Sequence, residues 1–475
     1  MSSLALTLVL AHLGLSAVLV ADLLLRRKEP TSTMAWLQAI VFFPFLGSAL
    51  YLLIGAGSLH RRRYRRRRKR LGPLETGKAA RDGAAARAAQ LNGFAADAVM
   101  LATATSRRSP THGNTLQIFD NVSRVYDDIE AEVWRARDHV HFEYYLLEPD
   151  ATGRRFLDLL EAKAREGVEV RLLVDGVGSR NLTGEHLRPL VRAGGQVGWF
   201  LPLRVFQRLQ SLHLRNHRKI VVIDGRLAFT GGVNIGDAYR GRRARRAHWR
   251  DTHLKVEGPA VHHLQEVFAE DWWFATETKL TDDRYFPPLA TAGDALIHVV
   301  ASGPDDPARA IHTTLFHAIA TAHHRVWIAT PYFVPDTPIM AALETTARRG
   351  VDVRLLIPDR SDHPLVDRAG ESYLPALLEA GARVYRYEAG MLHSKLVAID
   401  GRWGTLGSAN MDIRSFRLNF EVNLIALSVE ITGQIEAIFE RDLRQSRPVL
   451  PAELSIRPVH RRLTVAACRL LAPVL

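Results

Sequence analysis

The sequence predicts an α/β fold of two related halves, placed behind a membrane-spanning hairpin. Two observations carry this: a pattern of strand, helix and strand occurs twice with matched polar residues, and two long uncharged or nearly uncharged apolar runs occupy the first 57 residues. The 475-residue chain is 47% hydrophobic, ordinary for a folded protein, which excludes disorder and low-complexity fibre. Its one cysteine, Cys468, excludes an intramolecular disulfide framework and cysteine-based metal clusters.

Leu4 to Leu25 carries no Lys or Arg over 22 residues and as a helix reaches about 33 Å, enough to cross a hydrocarbon core. Arg26, Arg27 and Lys28 follow the run, whereas a cleaved signal peptide has its basic residues ahead of it. Met34 to Gly57 is a second apolar stretch, with Trp36 and Tyr51 near its ends where amphipathic rings favour the interface. Pro44 is placed to kink it. Spans at 4–25 and 34–57 make a hairpin over 1–58 that leaves both ends on one side. Nine Lys and Arg fill residues 61–70 against three in the loop, and that basic run accounts for most of the formal charge of +13. The positive-inside bias then makes this a multi-pass protein of the inner (cytoplasmic) membrane with its long remainder in the cytoplasm. A short basic run can also bind nucleic acid, but its juxtamembrane position favours topology and attraction to anionic lipid, so no nucleic acid is expected as a partner. Residues 59–112 read as this basic segment followed by a partly helical linker.

The repeat begins with His139-Val-His-Phe-Glu-Tyr-Tyr-Leu-Leu-Glu-Pro-Asp150 and Arg325-Val-Trp-Ile-Ala-Thr-Pro-Tyr-Phe-Val-Pro-Asp336. After each Pro-Asp comes a helical pattern (Phe156 to Glu166; Ile339 to Arg349), a glycine (Gly167; Gly350) and a second strand (Val168 to Val174; Val351 to Ile357). Leu190-Val-Arg-Ala-Gly194 later matches Leu377-Leu-Glu-Ala-Gly381. A period of about 140 residues is too long for a solenoid and suits a duplicated domain, with halves at 113–290 and 291–450.

Each half carries one polar constellation at one offset. The first is His217-Arg-Lys219-Ile-Val-Val-Ile-Asp224 with Gly231-Gly-Val-Asn234; the second is His393-Ser-Lys395-Leu-Val-Ala-Ile-Asp400 with Gly407-Ser-Ala-Asn410. His to Asn is 17 positions in both. Because side chains alternate along a strand, His217 shares a face with Lys219, and His393 with Lys395, while Asp224 and Asp400 point away and are expected to pair with a basic group and hold the turn. Two His, two Lys and two Asn converging across a pseudo-twofold axis suit a tetrahedral anion. Lys219 and Lys395 supply fixed charge, and Asn234, Asn410 and Ser408 supply hydrogen bonds where oxyanion charge builds, with no metal or cofactor required. One imidazole can attack phosphorus while the other protonates the leaving alkoxide and then deprotonates the incoming hydroxyl. Each His needs a carboxylate to set its tautomer, and Asp251 and Glu421, at comparable places after the two motifs, are the candidates.

At these residues the sequence resembles the phospholipase D superfamily, whose signature is a doubled His-x-Lys-x4-Asp followed by Gly-x-x-Asn. The finer resemblance is to bacterial cardiolipin synthases, carried by Tyr-Tyr-Leu at 144–146, Thr330-Pro-Tyr-Phe-Val-Pro-Asp336, Ser361-Asp-His363, Gly390-Met-Leu-His-Ser-Lys395, Gly407-Ser-Ala-Asn-Met-Asp-Ile-Arg-Ser-Phe416 and the N-terminal hairpin. It covers residues 1–450 and departs from internal symmetry at Gly232, which stands where the other half has Ser408. The resemblance implies duplicated α-β-α sandwich halves and a phosphatidyl transfer. Phosphatidylglycerol would donate to a His and a second phosphatidylglycerol would accept, releasing glycerol, with His217 favoured as nucleophile and His393 as acid and base. Membrane-anchored phosphodiesterase activity on phospholipid or nucleic acid, and a non-enzymatic scaffold, are the rivals. The expected partners are phosphatidylglycerol and other anionic phospholipids at a membrane; the oligomeric state is left open.

Two further segments fit a lipid substrate. Arg240, Arg242, Arg243, Arg245 and Arg246 either gather anionic headgroups or form a solvated loop. In the tail, 451–475, Leu463, Ala466, Ala467, Leu470, Leu471 and Val474 recur at helical spacing beside Arg461, Arg462 and Arg469, which suits an interfacial helix or one packed on the body.

Overall fold

The computed structural model describes residues 3–25, 30–52, 93–106, 108–202, 214–240, 248–455 and 458–471. The basic run 61–70, the end of the second apolar stretch, Val474 and four of the five clustered arginines (Arg242, Arg243, Arg245, Arg246) lie outside them. Residues up to 70 belong to a unit of their own. Its helix Ser3–Leu25 has 23 residues and a mean hydropathy of 2.3, and it is the one helix among the described residues long and apolar enough to cross a membrane. The next helix, Pro30–Phe42, starts ahead of the expected span, stops at a turn around Pro44 and resumes as Leu46–Leu50. A proline removes an amide donor and crowds the turn before it, and here the stretch breaks rather than kinks, with Phe45 at φ 58°. Leu19, Leu23, Ile40 and Tyr51 bury one another, and the Tyr51 hydroxyl donates to Asp22 at 2.9 Å.

In the second unit one 16-stranded mixed sheet runs through both halves. Its centre is the antiparallel pair Thr111–Phe119 and Ala295–Ser302. From there outward the strands match two by two: His253–Glu257 with Asn419–Leu427, Leu227–Gly231 with Trp403–Gly407, Lys219–Ile223 with Leu396–Ile399, and His139–Tyr144 with Arg325–Ala329. Glu169–Asp175 with Asp352–Pro358 and Gln196–Phe200 with Arg383–Tyr387 complete the match, and Ser446–Pro448 extends one edge. The order is that of a pseudo-twofold axis through the central pair.

Helices cover both faces, giving the α-β-α layering. On one face Ala260–Thr276 and Val429–Leu443 pack on alternate residues from both halves, among them Ile220, Val222, Ile297, Val299, Leu396 and Ala398. On the other face each half has its own core: Val140, Phe142 and Val221 under Val122–Arg135 and Ala151–Arg165, and Val326, Ile328 and Val397 under Ala310–Ala320 and Thr337–Arg348. Strands buried on both faces read as continuous Val/Ile/Leu runs, as at 220–223. The twin Pro-Asp ends are explained by capping, since Asp150 accepts from the amide of Gly153 and Asp336 from that of Ile339, satisfying donors at each helix start. The expected linker ends early. Helix Phe94–Ser106 brings Ala98 into the core of the second half, Ser106 Oγ lies 2.7 Å from His298, and Arg108 is buried between Glu266 and Glu270.

Asp224 and Asp400 hold turns, but not through a basic group. Each adopts φ 52°, and each carboxylate accepts from three successive backbone amides: Arg137, Asp138 and His139 for Asp224, and His323, His324 and Arg325 for Asp400. At about 3.3 Å per strand residue they sit roughly 16 Å beyond the motif lysines, so they tie the end of one strand to the start of its neighbour and do not meet the histidines. Replacing Asp400 by Ala should therefore lower unfolding free energy by about 2–3 kcal/mol. Denaturant titration in detergent should show the midpoint fall while kcat of the folded fraction stays within about twofold; a kcat collapse at unchanged stability would return Asp400 to the chemistry.

Candidate active site

The two motifs meet because short segments cross between the halves. Arg215–Asn216 pairs in parallel with Asn419–Phe420, and Gly390–Leu392 pairs in parallel with His248–Arg250. The His217 amide donates to Phe420 O at 2.9 Å, and the His393 amide donates to Arg250 O at 2.7 Å. Each histidine is thus clipped to the residue just before the other half's carboxylate. His217 Nδ1 lies 3.1 Å from Glu421 Oε2, and His393 Nδ1 lies 2.7 Å from Asp251 Oδ2. A carboxylate at Nδ1 keeps the proton there and leaves the Nε2 lone pair for chemistry.

The structure brings His217, Lys219, His393, Lys395, Asp251 and Glu421 together, all of them buried or nearly so. Lys219 Nζ donates to His217 O at 2.7 Å, and Lys395 Nζ donates to His393 O at 2.5 Å and lies 2.9 Å and 3.2 Å from the two nitrogens of its ring. Burial lowers His217 to about 4, with Glu421 opposing, and lowers Lys219 to about 7 and Lys395 to about 8. His393 is lowered too, by burial and then Lys395. Burial opposes ionisation of Asp251 and Glu421, yet Lys395 and His393 beside the first, and His217 and Lys219 beside the second, hold both below ordinary carboxylate values. Asn234 and Asn410 are buried, and the side-chain oxygen of each has no partner among the described residues. Such oxygens can take a hydroxyl or imidazolium proton. Tyr145 meets His217 edge-on at 5.0 Å, and Trp249 lies 5.2 Å from His393.

Ser408 departs from its expected role. Its hydroxyl donates to Glu421 Oε2 at 2.5 Å and its carbonyl lies 3.1 Å from His217 Nδ1, so it steadies the carboxylate and the imidazole instead of reaching for substrate. The missing hydroxyl at Gly232 has a steric cause, since a Cβ there would stand 2.2 Å from Asp251 Oδ1. Arg240 is engaged with the body, paired to Asp127 at 2.7 Å and lying over the Tyr126 ring, which removes it from the proposed lipid-gathering loop.

Two buried ion pairs were not foreseen. Arg218, inside the first motif, bonds Asp271 and donates through Nε to Glu421 O at 3.1 Å. Arg250, one residue before Asp251, bonds Asp442 at 2.8 Å and donates to Asp251 O at 2.8 Å. Each pair fixes the main chain of one carboxylate residue to a helix of the shared layer. Only the place of Arg218 within the motif hinted at this.

The family described as "Cardiolipin synthase, PLD-like domain" matches residues 129–272 and 315–443, one match per half. This chain belongs to that family. A second family description, "Phospholipase_D-nuclease N-terminal", matches residues 14–55. The chain is 37% identical to the cardiolipin synthase of Geobacillus kaustophilus, covering 95% of this chain and 90% of that one. It is 36% identical to the cardiolipin synthase of Oceanobacillus iheyensis, with 98% of each covered. Among solved structures, the phosphatidylserine synthase of Haemophilus influenzae superposes with a TM-score of 0.62 at 14% identity, over 76% of this chain and 95% of that one. At that identity the likeness shows a shared fold and nothing finer.

The shifts dictate a pH response. His217, held near 4 rather than at the ordinary 6.5, stays neutral as pH falls, and His393, lowered by burial and Lys395, gains its proton only below 6.5, so kcat/KM should survive acidification to about pH 5. Lys219 and Lys395 lose charge as pH rises through about 7 and 8, so KM for an anionic substrate should climb there. Rate against pH from 4 to 10 checks both limbs, and an acid limb at or above 6.5 would overturn the burial account.

Proposed function

We propose that the chain is a cardiolipin synthase that uses His217 as its nucleophile. His217 Nε2 attacks the phosphorus of one phosphatidylglycerol; the His393 imidazolium protonates the departing glycerol oxygen, leaving a phosphatidyl group on His217. Neutral His393 then takes the proton of a hydroxyl on a second phosphatidylglycerol, whose oxygen displaces His217 and forms cardiolipin. One glycerol leaves and both histidines return to their starting protonation. Lys219 and Lys395 offset charge on the phosphoryl oxygens. The observation that carries this reading is the pair of crossed imidazole–carboxylate contacts in a member of this family. Their lengths support the division of labour. The shorter contact, at Asp251, works toward the imidazolium at His393, against burial and the charge of Lys395, which together leave that ring below its ordinary value. At His217 burial keeps the ring neutral and nucleophilic.

Detergent-solubilised protein given pure phosphatidylglycerol in metal-free buffer should yield cardiolipin and glycerol by mass spectrometry. His217→Ala and His393→Ala should each lose at least about 10³-fold. Phosphatidic acid with glycerol in place of cardiolipin would make the protein a hydrolase.

The membrane arrangement belongs to the same reading. The apolar helix Ser3–Leu25 supports membrane association. The second apolar stretch would complete a hairpin, with the body on the cytoplasmic face of the inner membrane, as the basic run 61–70 of the sequence argues. A reporter enzyme active only in the cytoplasm, fused after Leu475, should give full signal; a silent fusion beside an active periplasmic one would invert the topology.

A further inference from the structure

We infer that the helix pair Pro364–Glu371 and Val459–Leu471 is a lipid-docking face that seats the His393 side of the active site on an anionic bilayer. The helix Val459–Leu471 packs against its neighbour through the side bearing Cys468, which is buried with Ala369 and Val334. Arg461 reaches Glu371 at 3.3 Å, and Arg469 lies over the Tyr373 ring at 5.3 Å. At 100° per residue, Val459, Leu463, Ala466 and Leu470 all fall on the opposite side, with Ala467 on its flank. Val459 is 68% exposed, Leu463 66% and Leu470 83%, and on the neighbouring helix Leu365 is 53% exposed. The helix therefore satisfies its packing with small and basic residues and leaves its most apolar stripe bare. A stripe of this kind costs free energy in water and is the usual mark of a binding surface.

Charge and position select the occupant. Exposed Arg462 flanks the stripe, and the cleft between the two helices is lined by Arg368, Arg461 and His460 together with Asp367 and Glu371, whose carboxylates pair with Arg386, so the charge turned toward headgroups above an apolar interior is basic. The pair also adjoins the site. Helix Pro364–Glu371 follows directly on Asp362 and His363; Asp362 accepts from the Tyr332 hydroxyl at 2.7 Å, and the Tyr332 ring stands 6.2 Å from His393 and 5.5 Å from His363. A bilayer under the stripe would thus lie beside the segment that leads, through Asp362 and Tyr332, to His393. The inference rests on phosphatidylglycerol being the substrate, but it is read by a measurement that needs no turnover.

Nitroxide labels at Leu463→Cys and Leu470→Cys, each in the full chain carrying Cys468→Ala, would be reconstituted in vesicles of mixed phosphatidylglycerol and phosphatidylcholine. Both should collide several-fold more with oxygen than with a water-soluble nickel chelate, while a label at exposed Glu185→Cys shows the reverse. Nickel accessibility at both stripe positions would overturn the docking face. So would dipolar broadening that vanishes on dilution with unlabelled chain, since a second copy would then cover the stripe. Immersion that persists in pure phosphatidylcholine would overturn the anionic preference. In activity, Leu463→Asp with Leu470→Asp should raise the surface KM for phosphatidylglycerol at least about fivefold with kcat within twofold. Immersed labels on a protein that makes no cardiolipin would sink the proposed activity and leave the docking face standing; water-exposed labels on an active protein would do the opposite.

Discussion

The whole arrangement depends on two hydrogen bonds that cross between halves: His217 to Glu421 and His393 to Asp251. Neither half contains both a motif histidine and the carboxylate that orients it. A half on its own would hold an imidazole with no fixed tautomer beside a buried, uncompensated lysine. The continuous sheet, the short parallel pairings at 215–216 and 390–392, and the Arg–Asp pairs behind each carboxylate all serve to bring those two contacts into register. Removing one member of a buried ion pair leaves a charge without compensation, so these supports tolerate little change.

Much of this was legible in the sequence because the signals were local or repeated. The doubled strand, helix and strand pattern marked out the halves, and the doubled His, Lys and Asn marked out the candidate site, whose histidines and lysines the fold brings together. The expectation that Asp224 lies away from Lys219 holds, though through the length of the strand between them and the turn at its end and not through alternation of faces. What it could not supply was the partner. A carboxylate facing away from a site can meet a basic side chain or backbone amides, and the choice at Asp224 and Asp400 is made by a loop from the neighbouring strand. The same holds for Ser408, whose hydroxyl direction follows from Glu421 in the adjacent strand, and for Arg218 and Arg250, whose partners Asp271 and Asp442 lie on helices across the sheet. Pairings across large sequence separations leave no periodicity to read.

Gly232 shows how one-residue differences break a duplicated pattern. The half with the shorter carboxylate, Asp251, brings it against the backbone and tolerates no side chain at the glycine; the half with the longer one, Glu421, leaves room for the hydroxyl of Ser408. The two halves thus solve one geometric problem with different atoms. Their histidines consequently feel different surroundings, which is what two different tasks in one reaction require.

The unbroken sheet has a mechanical consequence. Because Thr111–Phe119 and Ala295–Ser302 pair at its centre and the layer Ala260–Thr276 with Val429–Leu443 is common to both halves, the halves have no hinge about which to part without breaking ladder hydrogen bonds and emptying a shared core. A catalyst built this way keeps its two histidines at a fixed separation, so both steps of a transfer have to be run by exchanging one substrate for the next in front of a rigid pair of side chains, with no domain movement to help.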